Sequence, residues 1–87
     1  MPRIELFGPA RLLAGRRYAD VPGHTARQML RQLAAACPEL VGQVLQADGR
    51  PTPAYTLNIN GTRFTTNVDE PLIEGDELLL LSSLSGG

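Results

Sequence analysis

The sequence predicts an α+β domain spanning residues 1–87, a mixed sheet of four to five strands with one main helix on one face. Three observations predict it. A single amphipathic helical segment, 25–37, separates two groups of strand-like segments. Asn60-Gly61 sits between two short apolar runs, a strong hairpin signal. The closing run Leu78-Leu79-Leu80-Leu81 does not alternate, the pattern of a central strand buried on both faces.

The elements follow in order. Arg3 to Gly8 reads as a strand with Ile4 and Leu6 on one face and Glu5 and Phe7 on the other. Gly8-Pro9 breaks it, and Ala10 to Gly15 reads as a loop or single turn. Arg16 to Val21 reads as a second strand, antiparallel to the first. Thr25 is placed to cap a helix, with Gln28 three residues on as a capping box requires. Ala26, Met29, Leu30, Leu33, Ala34 and Cys37 share one helix face, and Arg27, Gln28, Arg31 and Gln32 the other. Pro38 ends that helix, and Leu40, Val41, Val44 and Leu45 suggest one further helical turn. Tyr55 to Asn60 and Arg63 to Thr66 form the hairpin strands. Asp69 to Leu72 and Ile73 to Asp76 give two turns, with Asp76 serving the second. Glu77 to Leu84 is the last strand, expected beside the first and parallel to it, with a flexible Gly-Gly tail at about 84–87 beyond it.

Composition narrows the function. Eight basic and nine acidic residues give a formal net charge of −1, without a run of one sign. Neither a nucleic-acid stripe nor a polybasic membrane patch is built this way. No apolar stretch has the length of a membrane span, and the N-terminus lacks a secretory apolar region, so a cytoplasmic protein is expected. One cysteine, Cys37, excludes an internal disulfide and a cysteine-based zinc site. All eight basic residues are arginine, so no lysine side chain can form an isopeptide.

Taken together, Phe7-Gly8-Pro9-Ala10-Arg11-Leu12-Leu13-Ala14-Gly15, the hairpin Asn58-Ile59-Asn60-Gly61, and Pro71-Leu72-Ile73-Glu74-Gly75-Asp76-Glu77-Leu78 followed by a strand and Gly86-Gly87 resemble the ubiquitin-like β-grasp sulfur carriers, the MoaD/ThiS family. The resemblance covers essentially the whole chain and implies a β-grasp fold. It implies a function for the tail: an ATP- and magnesium-using adenylyltransferase of the ubiquitin-activating type adenylates the Gly87 carboxylate. A sulfur source then displaces AMP and leaves a thiocarboxylate for a sulfur-accepting synthase. The chain itself binds no cofactor or metal and carries no catalytic residue. Gly86 and Ser85 would thread the partner's channel, since a backbone without Cβ atoms passes close to its walls. Phe7, Arg11, Phe64 and Leu84 are candidate partner-surface residues. Where many molybdopterin-synthase small subunits carry two prolines and a valine, this chain has Ser82-Ser83-Leu84.

Other residues have blander readings. Cys37 lies on the apolar helix face, the position of a small buried hydrophobe. His24 stands alone in a turn. Asp69, Glu70, Glu74, Asp76 and Glu77 suit turns and surface. Molybdopterin synthesis ranks first as the acceptor pathway. Thiamin thiazole, cysteine or specialised-metabolite synthesis stays open, as does a ubiquitin-like modifier or plain interaction module. No nucleophile–base pair or carboxylate dyad supports an enzyme.

Overall fold

The last strand organises the molecule. In the computed structural model, which describes residues 2–83, β5 (Glu77–Ser82) lies at the centre of a five-stranded sheet. Its parallel neighbour is β1 (Arg3–Leu6) and its antiparallel neighbour β3 (Tyr55–Ile59). β2 (Tyr18–Asp20) flanks β1 and β4 (Arg63–Thr65) flanks β3, giving the order β2-β1-β5-β3-β4. The parallel central pair follows from the apolar match of Ile4 with Leu78 and Leu6 with Leu80.

One face of the sheet carries Ile4, Leu6, Leu57, Ile59, Leu78 and Leu80, all buried in the core. The main helix, α2 (Ala26–Ala36), supplies Ala26, Met29, Leu30 and Leu33 to the same core, and Cys37 is buried beyond its end. Each fully buried leucine contributes about 1.5–3 kcal/mol. Thr25 caps α2, its Oγ1 accepting from the Gln28 N–H at 3.2 Å. The Gln28 side chain reaches back to the His24 N–H at 2.8 Å, one residue before the cap. A 3₁₀ turn, Pro38–Leu40, overlaps only the start of the helical turn expected over Leu40, Val41, Val44 and Leu45, because Val41 is already extended; Leu40, Val44 and Leu45 are buried while Val41 is exposed.

Three expectations need correction. The segment after β1 is a short helix, α1 (Pro9–Ala14), not a loop or single turn. Pro9 begins it, where its fixed φ suits a first turn and its missing N–H costs nothing. Gly15 ends it in the left-handed region, φ 70, its N–H donating to the Arg11 carbonyl at 2.9 Å. The leucine run of β5 is not buried on both faces: Leu78 and Leu80 are buried, Leu79 and Leu81 only half-buried. A central strand has neighbours on both edges, but only one face of this sheet is covered by a helix. The strands are also shorter than their apolar runs. β1 stops at Leu6, β3 at Ile59, β4 at Thr65 and β5 at Ser82, and β2 covers only Tyr18–Asp20.

The hairpin expectation holds. Asn60 and Gly61 take φ 59 and 73, the left-handed pair inside a turn that the Thr62 N–H closes on the Ile59 carbonyl at 3.1 Å; with Ile59 opposite Arg63, three residues connect the strands. Asn60 also latches the start of β5. Its Nδ2 donates to Asp76 Oδ1 at 2.9 Å, and its Oδ1 accepts from the Glu77 N–H at 2.8 Å. Asp76 Oδ2 accepts from the Ile73 N–H at 2.9 Å, closing the turn assigned to it. The Asn60 amide, and then the Ile73 N–H, hold the Asp76 carboxyl below its ordinary value of 3.8. A depressed folded-state pKa gives stability that is present above the unfolded pKa and lost as pH falls through the folded one. Asp76→Asn should therefore flatten the acid side of the stability curve below about pH 4 relative to the parent. Asp76→Ala should cost about 1 kcal/mol at neutral pH. Urea titrations across pH 2.5–7 check both (about that range brackets the carboxylate values), and identical acid slopes would contradict the latch.

Candidate functional site

The face of the sheet opposite α2 is the open one. Cross-strand register lines up one row across all five strands: Tyr18, Glu5, Leu79, Asn58 and Phe64. Strand alternation explains the row, because Tyr18, Glu5, Leu79 and Asn58 each neighbour a core residue on their own strand, and Phe64 joins them through its pairing with Asn58. Phe64 is 67% exposed. Glu5 and Asn58, both polar, are 8% and 6% exposed.

Glu5 is paired through one carboxylate oxygen. Its Oε2 accepts from Arg17 Nε at 3.1 Å and lies 3.9 Å from an Arg11 terminal nitrogen. The bond from Glu5 raises the Arg17 pKa further, with Tyr18 reinforcing it. Two guanidiniums over one carboxylate leave this corner of the open face cationic. Arg3 lies 4.6 Å from the Tyr18 ring centroid and is paired with Asp20 at 3.2 Å. Asn58 is different: its Oδ1 is buried and accepts no hydrogen bond among the described residues.

Of the residues expected at a partner surface, Phe7 is half-buried and extends the β1 ladder, its N–H donating to the Leu80 carbonyl at 3.2 Å. Arg11, on α1, is also half-buried. Its Nε donates to the Leu6 carbonyl at 2.9 Å, and its guanidinium stands 5.5 Å from the Phe7 centroid. Arg11 is thus tied to the end of β1 rather than a plain surface charge. Phe7 and Phe64 do not meet. β5 and β3 separate their strands, so about 14 Å of sheet lies between them. Leu84, Ser85, Gly86 and Gly87 lie outside the described residues. The chain reaches them from Ser83, whose N–H donates to the Ala54 carbonyl at 2.7 Å.

Sequence reading placed Glu5 with Phe7 on the face opposite Ile4 and Leu6, but it named neither Glu5 nor Arg17, Leu79 and Asn58 as candidates at this site. The signal for Asn58 was present: a polar residue between Leu57 and Ile59 in a strand must point away from the core. His24 is exposed, Cys37 is buried with its thiol pushed up by that burial, and Asp69 is held down by its bond to Arg27. Among the described residues no group of three His, Cys, Asp or Glu could hold a metal. No helix among them is long and apolar enough to cross a membrane.

No protein-family model matches the sequence, and no curated protein matches it. Solved structures do. Small archaeal modifier protein 1 from Haloferax volcanii is 31% identical over 99% of this chain and 98% of its own, with a TM-score of 0.78. Small archaeal modifier protein 1 from Methanosarcina acetivorans has a TM-score of 0.82 at 21% identity, covering 99% of this chain and 95% of that one. A chain in the Amycolatopsis orientalis BexX/CysO complex has a TM-score of 0.79 at 12% identity, covering both chains completely. The last two are likenesses of fold.

Proposed function

Because this chain belongs to the ubiquitin-like β-grasp family of sulfur carriers and protein modifiers, we propose that it is a protein-bound sulfur donor whose reacting group is the carboxylate of Gly87. It works in the cytoplasm as a cosubstrate rather than an enzyme. An adenylating partner supplies ATP and magnesium. The Gly87 carboxylate attacks the α-phosphorus, pyrophosphate leaves, and an acyl-adenylate forms. A sulfur nucleophile then attacks the acyl carbon and AMP leaves. Carboxylate is a poor acyl donor and adenylate a good one, which is why the step needs the partner's nucleotide chemistry. The acceptor proposed first is molybdopterin synthesis, with this chain as the small subunit of the synthase and Gly86 and Ser85 threading the larger one. Thiamin thiazole, cysteine or specialised-metabolite synthesis is the alternative.

The observation that carries this reading is the placement of β5. It is the central strand, bonded on both edges, and it leads to the tail through Ser83. A tail rooted in the middle of a rigid sheet has a defined point of departure, which positions a short reactive end far better than a frayed edge strand would.

A second reading is favoured by the 31% identity to a small archaeal modifier protein. The same acyl-adenylate would then pass to a lysine amine of another protein. With no lysine of its own, this chain could not extend lysine-linked polymers of itself. Intact-mass spectrometry of the protein from its native host tests both. Sulfur transfer predicts a species in which one oxygen is replaced by sulfur; conjugation predicts other proteins heavier by this chain. Neither species, in cells that express the chain, would overturn both readings.

A further inference from the structure

The turn between β3 and β4 holds two groups that can react with each other, and the proposed function uses neither. Asn60 and Gly61 are both exposed. The Gly61 N–H donates no hydrogen bond among the described residues, and glycine has no side chain to crowd its nitrogen. The Asn60 carboxamide, by contrast, is held at both ends. Its Nδ2 donates to Asp76 Oδ1 at 2.9 Å, and its Oδ1 accepts from the Glu77 N–H at 2.8 Å.

We propose that Asn60-Gly61 is a self-modification site gated by the Asp76 latch: the chain deamidates at Asn60 through the open latch, and the product cannot close it again. The Gly61 nitrogen attacks Asn60 Cγ and gives up its proton. The Cγ–Nδ2 bond breaks, the side-chain nitrogen leaves as ammonia, and a succinimide ring remains. Water then opens the ring at either carbonyl. Opening at the side-chain carbonyl leaves isoaspartate or aspartate according to which bond to nitrogen is cut: cutting the one to Cγ leaves aspartate, and cutting the one to the main-chain carbonyl carbon leaves isoaspartate, whose backbone runs through the former side chain. Nothing is oxidised or reduced, and water is the one co-reactant.

The ring requires Cγ to lie against the Gly61 nitrogen. That position is denied while both carboxamide atoms are bonded to residues at the start of β5. The closed latch therefore protects Asn60, and the rate follows the fraction of molecules in which it is open. The product meets the same contact. An aspartate at position 60 has no side-chain N–H to donate, and it sets a carboxylate against that of Asp76 where the amide stood. Like charges so close repel. Isoaspartate also lengthens the backbone of the turn. Either product removes side-chain support from the start of β5, the strand that leads to the tail. The other two asparagines are internal controls. Asn58 is buried and precedes Ile59, and Asn67 precedes Val68, so a branched side chain crowds the attacking nitrogen at both.

The test incubates purified wild type, Asp76→Ala and Asp20→Ala in mildly alkaline buffer and follows ammonia loss at each asparagine by peptide mapping and mass. Asp76→Ala should deamidate at Asn60 roughly three- to tenfold faster than wild type. Asp20→Ala removes a different surface carboxylate, the partner of Arg3, and should leave the wild-type rate unchanged. Asn58 and Asn67 should stay intact in all three. Melting reads the product. Asn60→Asp should melt about 4–8 °C below wild type. Adding Asp76→Asn restores an N–H opposite the new carboxylate and should recover most of that loss. Equal Asn60 rates in wild type and Asp76→Ala would overturn the gate, and so would acceleration by Asp20→Ala. No ammonia loss at Asn60 in Asp76→Ala, or loss at Asn58 or Asn67 as fast as at Asn60, would overturn the site. An Asn60→Asp chain that melts like wild type, or a double variant that recovers nothing, would overturn the claim that the product cannot close the latch.

Discussion

A chain extended by one alanine after Gly87 should form no acyl-adenylate when the parent does, a loss of essentially all activity. The expectation follows from how the reacting atom is positioned. The carboxylate carbon must lie in line with the α-phosphorus, and misplacement by about 1 Å can already cost roughly a hundredfold. An added residue displaces the carboxylate by up to about 3.6 Å and puts an amide where it stood. An amide nitrogen or carbonyl is no substitute nucleophile. Deleting Gly87 should fail for the opposite reason: the carboxylate falls short, and Gly86 becomes the terminus. Both variants should melt like the parent, because the sheet, α2 and the Ser83–Ala54 bond are untouched. That pairing separates loss of register from loss of fold. The measurement is the sulfur-loaded or conjugated fraction in the native host. Full loading of the extended chain, with its extra residue still present by mass, would contradict the mechanism.

Much of this fold was legible because its signals are local. Thr25 with Gln28 caps α2 through neighbouring backbone atoms. Asn60-Gly61 needs only its own left-handed φ values. The parallel pairing of β1 and β5 was readable because both strands carry apolar residues that must share one core. The short helix α1 was hidden for a physical reason. Six residues give too few turns for a periodic signal, and Gly8-Pro9, which ends a strand, also starts a helix when proline falls at its first position. The candidate site was less legible. Phe7, Arg11 and Phe64 could be named singly, but the row that joins Glu5, Leu79 and Asn58 exists only through cross-strand register. Burial of Asn58 on a face without a helix depends on neighbours from other strands. Arg11 illustrates the same limit: its charge was plain, but its bond to the Leu6 carbonyl depends on α1. The tail residues Leu84 to Gly87 were named from the sequence and lie outside the described residues.

Gly49→Ala should be the most damaging single-methyl change in the loop before β3, and Gly75→Ala is its control. The two glycines have nearly the same backbone, φ 95 and φ 92, so the conformational penalty is shared, at about 1–2 kcal/mol. Their surroundings differ. A Cβ at Gly75 meets nothing within 4 Å. A Cβ at Gly49 meets Arg31 Cγ at 3.0 Å, the Arg31 nitrogen at 3.1 Å and the Arg27 carbonyl oxygen at 3.2 Å. The first can swing away. The other two are backbone atoms inside α2, which is packed on the core and cannot yield. The loop must lift instead. It is held by Gln46 N–H to the Arg50 carbonyl at 2.7 Å, Arg31 Nε to the Asp48 carbonyl at 3.3 Å, and Thr52 N–H to the Val44 carbonyl at 2.9 Å. Lifting strains all three, so Gly49→Ala should cost roughly 2–4 kcal/mol against about 1–2 for Gly75→Ala. For a domain this size total stability is of order 4–13 kcal/mol, and the difference should lower Tm by about 4 °C or more beyond the control. The consequence reaches the tail. This loop ends at Ala54, whose carbonyl accepts the Ser83 N–H. Amide hydrogen exchange at Ser83 should therefore accelerate in Gly49→Ala and stay unchanged in Gly75→Ala. Equal stability losses in the two variants would mean that α2 does not support the loop. An unchanged Ser83 amide in a destabilised Gly49→Ala would mean that the root of the tail is held by β5 alone.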